Sequence, residues 1–172
     1  MMARPATGFG HYLRDMVYGA LDGVITTMAV LAGAEGASLS VRVGLILGMA
    51  NLLGDGISMG ASNYLGLRSE LEQSGGSVAL EAPWRHGLAT VAAFIVVGSA
   101  PLLAFVLSSL TGVRVFPVAA ALAAIALSAA GVVRARFVCK TAVRSALEML
   151  SVGLLAGGAA YLVGRVGASL LR

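Results

Sequence analysis

Five apolar runs, each long enough to cross a bilayer, decide what this chain can become. They cover roughly 16–34, 43–67, 87–110, 115–138 and 146–168. A hydrocarbon core of about 30 Å needs about 20 helical residues at 1.5 Å each. Inside lipid a segment must satisfy its own backbone N–H and C=O groups, so all five runs are predicted helices. Composition points the same way: 58% of the 172 residues are apolar and 12% are charged, against roughly one quarter charged in soluble domains. The expectation is an all-α membrane protein, with one five-helix transmembrane domain over 1–172. The polar stretch 68–86, "RSELEQSGGSVALEAPWRH", is read as a cytoplasmic loop.

The first run follows Arg4 and Arg14 and has small residues at its end, as a signal peptide does. Asp22 interrupts it and it is longer than a usual signal, so a retained helix is expected. The formal charge of +4 is read as topology. Arg4, Arg14, Arg68, Arg85, Arg134, Arg136, Lys140 and Arg144 fall on one predicted side, and Arg42, Arg114, Arg165 and Arg172 on the other. The richer side faces the cytoplasm, which puts the N-terminus inside and, after five crossings, the C-terminus outside. Tyr12, Tyr64 and Trp84 fall near predicted interfaces. Basic residues do not interleave with aromatics, so no nucleic-acid partner is expected. Cys139 is the single cysteine and is read as structural.

Asp22 and Asp55 stand well inside apolar runs. Each costs roughly 2.5–3.5 kcal/mol on insertion scales. No Lys or Arg lies at comparable predicted depth, which leaves two readings: protonated carboxyls bonded to other helices, or carboxylates in a wet cavity that meet a cation. Helical spacing puts Asp15, Asp22 and Thr26 on one face of the first helix, and Asn51, Asp55 and Met59 on one face of the second. Oxygen donors with a thioether suit Fe²⁺ or Mn²⁺ better than Ca²⁺ or Mg²⁺. His11 and His86 lie outside the predicted membrane core and are set aside for a deep site. Each candidate also has an ordinary structural reading. Met59 can be filler, Asn51 and both deep carboxyls can bond helices together, and Asp15 suits the first turn of a helix. Gly44 with Gly48, Gly56 with Gly60, and Gly153 with Gly157 are pairs that let helices approach closely, or admit a neighbouring subunit.

Three stretches carry a family resemblance. "DGVITTMAVLAGAEGA" resembles the first helix of the vacuolar iron transporter family, "GMANLLGDGISMGASNYLGLRSE" its second, and "SVGLLAGGAAYLVGRV" its fifth. The resemblance implies a homodimeric five-helix transporter that moves Fe²⁺ and related divalent ions out of the cytoplasm as protons enter. It implies an ion path along the dimer interface, between the first two helices of each subunit. Asp22 matches the family's first-helix aspartate, Met59 its Ser-Met methionine, and Asp15 an earlier acidic position. Asn51 stands where the family often has an acid, Asp55 adds an acid one turn later, and Asn63 replaces the glutamate of Gly-Glu-Tyr. The glutamate-rich cytoplasmic insertion of the family's iron transporters is reduced here to 68–86, with Glu70, Glu72 and Glu81. The chain thus resembles the short branch, which includes nodulin-like members.

The expected function is proton-coupled export of Fe²⁺ or Mn²⁺, with Asp22 and Asp55 shared between metal and protons. The metal is cargo; no prosthetic group and no enzymatic chemistry are expected. The expected location is a bacterial inner membrane, with an organellar membrane as the alternative. Alternatives of other classes are a non-transporting oligomeric scaffold or subunit, and a transporter or channel for another solute.

Overall fold

The computed structural model describes residues 8–136 and 141–170. Arg4, Cys139, Lys140 and Arg172 lie outside them. A 3-10 turn, Gly8–Tyr12, leads into α1, Leu13–Gly36. Then follow α2 (Val41–Ser74), a one-turn α3 (Val78–Glu81), α4 (Pro83–Gly98), a 3-10 turn (Ala100–Leu102), α5 (Leu103–Thr111), α6 (Val115–Ala135) and α7 (Ala142–Leu170). Taken as Gly10–Gly36, Val41–Ser74, Pro83–Thr111, Val115–Ala135 and Ala142–Leu170, five helical stretches are long and apolar enough to cross a membrane.

Two boundaries differ from the sequence reading. The stretch 68–86 is mostly helical. α2 runs on to Ser74 and ends on Gly75, whose φ of 70° is the left-handed conformation that glycine adopts without strain. Ser77 then caps α3 through Leu80 N–H, and Pro83 opens α4, where its missing N–H is no loss. The third crossing is not one continuous helix. Pro101 has no N–H for the α-helical ladder, and the chain passes it in the 3-10 turn Ala100–Leu102 before α5 begins.

The central helix is α1, which packs against α2, α4, α6 and α7. Its interior face holds Val24 against Ala123, Leu127 and Met149, and Leu31 against Ala104 and Ala119. Glycines set the spacing. A Cβ on Gly19 would meet the carbonyl of Thr90, and one on Gly23 the backbone of Phe94. At the other end of α1, Gly36 lies against Tyr161, and Gly33 against Gly164. Lipid tails are as apolar as the side chains themselves, so close backbone approach and dispersion hold such helices together rather than exclusion from water. α7 is mostly exposed, with Leu154, Leu155, Leu162 and Val163 all outward.

The glycines of α2 have partners within the chain. Gly44 faces Leu31, Ala34 and Phe105; Gly48 faces Leu31 and Leu102; Gly56 faces Phe94 and Ile95; Gly60 faces Val91 and the carbonyl of Gly87. With Leu52 they are the buried residues of α2. These four glycines therefore admit neighbouring helices of the same chain. Gly153 abuts Leu127, whereas nothing lies within 4 Å of a Cβ built on Gly157.

Candidate functional site

α1 and α2 run antiparallel, and their polar residues meet rung by rung. The first rung is fixed by contact: Asn63 Nδ2 donates to Asp15 Oδ1 at 2.9 Å. Asp22 lies about 10 Å further along α1, and Asp55 about 12 Å back along α2, at 1.5 Å per residue. The two carboxyls thus come to similar heights on the two helices, within electrostatic reach of each other. Between the rungs, Asp15, Tyr18, Met59, Asn63 and Thr90 line a cavity of about 230 Å³, with Arg14 and Ser62 at its side. A second cavity, of about 470 Å³, shares Arg14, Asp15, Ser62 and Asn63 and extends to His11, Glu70 and His86. The shared residues make one polar cleft that runs from the His11–His86 end toward the deep carboxyls.

On α2 the arrangement follows from residue spacing. Gly44, Gly48, Leu52, Gly56 and Gly60 form the packed row. Asn51, Asp55, Met59 and Asn63, one position earlier at each turn, form a half-buried row along its edge. Thin side chains on the packed row bring α4 close, and Met59 and Asn63 of the row beside it line the cleft.

The deep residues are not tied to neighbouring helices. Among the described residues, Asp22, Asp55 and Asn51 make no side-chain hydrogen bond or ion pair, and the Asn51 amide nitrogen is buried without a partner. The reading of these groups as interhelical bonds therefore has no contact to rest on among the described residues. Thr26 is different: its hydroxyl donates to the Asp22 backbone carbonyl at 2.9 Å, so its proton is spent inside α1.

Asp15 is the reverse case. It sits in the first turn of α1, as expected, but it is only 6% exposed. Asn63 binds one of its oxygens, and His86 Nδ1 lies 2.6 Å from the other. Asn63 also donates to Thr90 Oγ1 at 2.8 Å, and the Thr90 hydroxyl donates to the His86 carbonyl at 3.0 Å. His11 Nε2 completes the group, 3.2 Å from His86 Nε2.

Setting aside His11 and His86 holds for the deep row, but it missed the mouth of the cleft. Tyr18 and Thr90 were missed as well. Tyr18 was legible, because it lies between Asp15 and Asp22 on the same face. Nothing local pointed to Thr90, whose partners come from α2 and α4. Arg14, counted only as a topology charge, lines the same cavity as Met59.

Comparison with known proteins gives the context. The VIT family model matches residues 13–82 and 71–165. The vacuolar iron transporter of Toxoplasma gondii is 44% identical over 59 residues, 34% of this chain and 20% of that protein. That of Plasmodium falciparum is 40% identical over 52 residues, 30% and 19% of the two chains. Vacuolar iron transporter 1 of Arabidopsis thaliana is 38% identical over 61 residues, 36% and 24%. The matched part thus spans about a fifth to a quarter of these relatives' length. All three are named as transporters, none as an enzyme. The family model takes in most of the chain, including both helices of the cleft and the closing helix, and on that extent the chain belongs to the VIT family.

Proposed function

We propose that the chain is a divalent-metal transporter, with Fe²⁺ as first substrate and Mn²⁺ beside it, exporting the ion from the cytoplasm against incoming protons. The observation that carries this reading is the pair Asp22–Asp55. Two carboxyls stand within electrostatic reach of each other on adjacent membrane-length helices, with no side-chain partner for either among the described residues. In a medium of low dielectric such a pair calls for a cation or for protons. Met59 stands one turn from Asp55 and adds a softer donor. The names of the curated relatives support iron as the cargo.

Competition supplies the coupling. A carboxylate must lose its proton to bind metal, so protons arriving from outside displace the ion that Asp22 and Asp55 share. Asp15 is held by Asn63 and His86, and its part is to shape the entrance; Asn51 extends the polar row beyond Asp55.

A second copy completes the path. Gly54, Ser58, Ser62 and Gly66 form an exposed row of small residues beside Asp55 and Met59, and Gly54 and Gly66 have nothing within 4 Å of a built Cβ. A row of this kind suits close approach of the same helix from a partner. Orientation rests on arginines. The antiparallel order gathers Arg14, Arg68, Arg85, Arg134 and Arg144 at the end where α1 begins, which is assigned to the cytoplasm. The relatives' names place those proteins at the vacuole and lend no support to a bacterial inner membrane.

The test is a flux panel in proteoliposomes with Fe²⁺, Mn²⁺, Zn²⁺, Co²⁺ and Ca²⁺, with and without a pH gradient. Gradient-dependent Fe²⁺ and Mn²⁺ uptake is expected. Metal flux indifferent to the gradient would remove proton coupling, and no metal flux would remove the transporter reading. Single cysteines placed in 68–86 and near the C-terminus, with Cys139 replaced, should label from opposite sides.

A further inference from the structure

The mouth of the cleft carries a donor set unlike the deep row. His11 comes from the 3-10 turn before α1, Glu81 from the end of α3, and His86 from the first turns of α4. One ligand atom from each falls within 4.8 Å of the others. His11 Nε2 is 3.2 Å from His86 Nε2 and 3.5 Å from Glu81 Oε2. Two nitrogens bound at about 2.0–2.1 Å to one tetrahedral ion lie about 3.3–3.4 Å apart. The imidazole pair already has close to that separation.

The hydrogen-bond partners of His86 also suit a metal ligand. An ionised carboxylate only accepts, so His86 Nδ1 carries the hydrogen directed at Asp15 Oδ2. In the neutral ring this leaves the Nε2 lone pair aimed at His11. A carboxylate behind a histidine is the arrangement that orients metal-binding imidazoles and strengthens their donation. Asp15 is in turn fixed by Asn63, and the His86 backbone by Thr90. His86 is thereby locked, while His11 and Glu81 are partly exposed and free to close on an ion. The His11–His86 edge opens onto the 470 Å³ cavity, which leaves room for water or a further ligand.

We propose that His11, His86 and Glu81 form a binding site for a first-row divalent ion at the mouth of the cleft, with Asp15 as its positioning residue. Two imidazoles and one carboxylate suit Zn²⁺, Co²⁺ or Fe²⁺ and disfavour Ca²⁺ and Mg²⁺, which take oxygen alone. An ion there clasps three segments that no continuous helix joins: the turn before α1, the connection after α2, and the start of α4. The site does not depend on the transport reading, because its ligands lie outside the Asp22–Asp55–Met59 row.

Trp84 is the chain's single tryptophan and lies two residues before His86, so its fluorescence reports on this site. The experiment is a Co²⁺ titration of the full chain in lipid nanodiscs, in a background carrying Asp22→Asn, Asp55→Asn and Met59→Leu to disable the deep row. Trp84 emission and the visible spectrum of bound Co²⁺ are followed together. Saturable quenching at one ion per chain is expected, with a spectrum of nitrogen-bound, low-coordinate cobalt. His11→Ala and Glu81→Gln should each weaken binding at least tenfold. Asp15→Asn should weaken it about 10–100-fold, the usual effect of losing such a partner, and alter the spectrum without removing a ligand. His86 is buried, and its replacement would disturb the fold, so His11 and Glu81 carry the test. Quenching that is absent, or identical in the parent and both of these variants, would overturn the site.

Discussion

Asp15 and Asp22 are two aspartates of one helix, seven positions apart, that live in opposite circumstances. Asp15 is buried, and both of its oxygens are engaged, by Asn63 and by His86. Asp22 is half-buried and makes no side-chain hydrogen bond among the described residues, and the acidic group within its electrostatic reach is Asp55. The first pattern stabilises a structure. The second leaves a carboxyl without a side-chain partner, among the described residues, on a helix of membrane length. The contrast teaches that burial and acidity alone do not tell whether a carboxyl is held in place. The partners do.

The comparison can be broken most directly at Asp22. Asp22→Asn keeps the shape and removes both the charge and the titratable proton. Coupled Fe²⁺ flux in proteoliposomes should fall to background at matched protein incorporation, with thermal stability unchanged or raised, since a repulsion is lost. Asp55→Asn should give a severe but smaller loss. Wild-type flux with wild-type pH dependence in Asp22→Asn would make that carboxyl structural after all.

Asp15→Ala should show the opposite signature. It leaves the Asn63 amide and the His86 ring without their acceptor, at about 1–3 kcal/mol for each unsatisfied group, so a clear drop in unfolding midpoint in detergent is expected. Asn63→Ala removes one of these bonds and should cost about 1–3 kcal/mol. If either leaves the midpoint in place, the mouth is not the structural end of the cleft.

The glycine rows of α2 extend the same test. Gly60 touches the Gly87 carbonyl and Val91, so Gly60→Leu overpacks the protomer, at a cost of about 1–3 kcal/mol or more. Gly54 faces open space, so Gly54→Leu should leave the protomer's midpoint within about 0.5 kcal/mol and instead reduce dimer in crosslinking in lipid. Equal loss of stability from both would merge the two rows into one. Met59→Leu should give the smallest change. It keeps the volume, costs less than about 1.5 kcal/mol, and should lower Fe²⁺ flux several-fold while sparing Mn²⁺, which has less use for sulfur.

Five crossings, the apolar lengths and the two polar rows were legible in the linear chain, because each depends on spacing within one helix. Asp22 and Asp55 stood out because a carboxyl in hydrocarbon is costly enough to require an explanation. Ser40 and Gly75 mark the ends of α2 by capping chemistry that is equally local. The break at Pro101 was missed: the apolar run 87–110 reads as one helix, although the missing N–H of the proline was there to be read.

Only the tertiary structure decided which groups meet. Asn63 lies 48 positions from Asp15, and His86 lies 71 positions from it; no spacing rule relates them. Their contact depends on how α1, α2 and α4 slide past one another, and that register is set by glycines such as Gly19 and Gly60, which fit against the backbones of Thr90 and Gly87, and Gly56, which fits against the Phe94 ring. A carboxyl's position in the sequence fixes which face of its own helix it takes. What stands opposite is fixed by the packing of the other helices, and that determines whether the carboxyl is held in place or left without a partner.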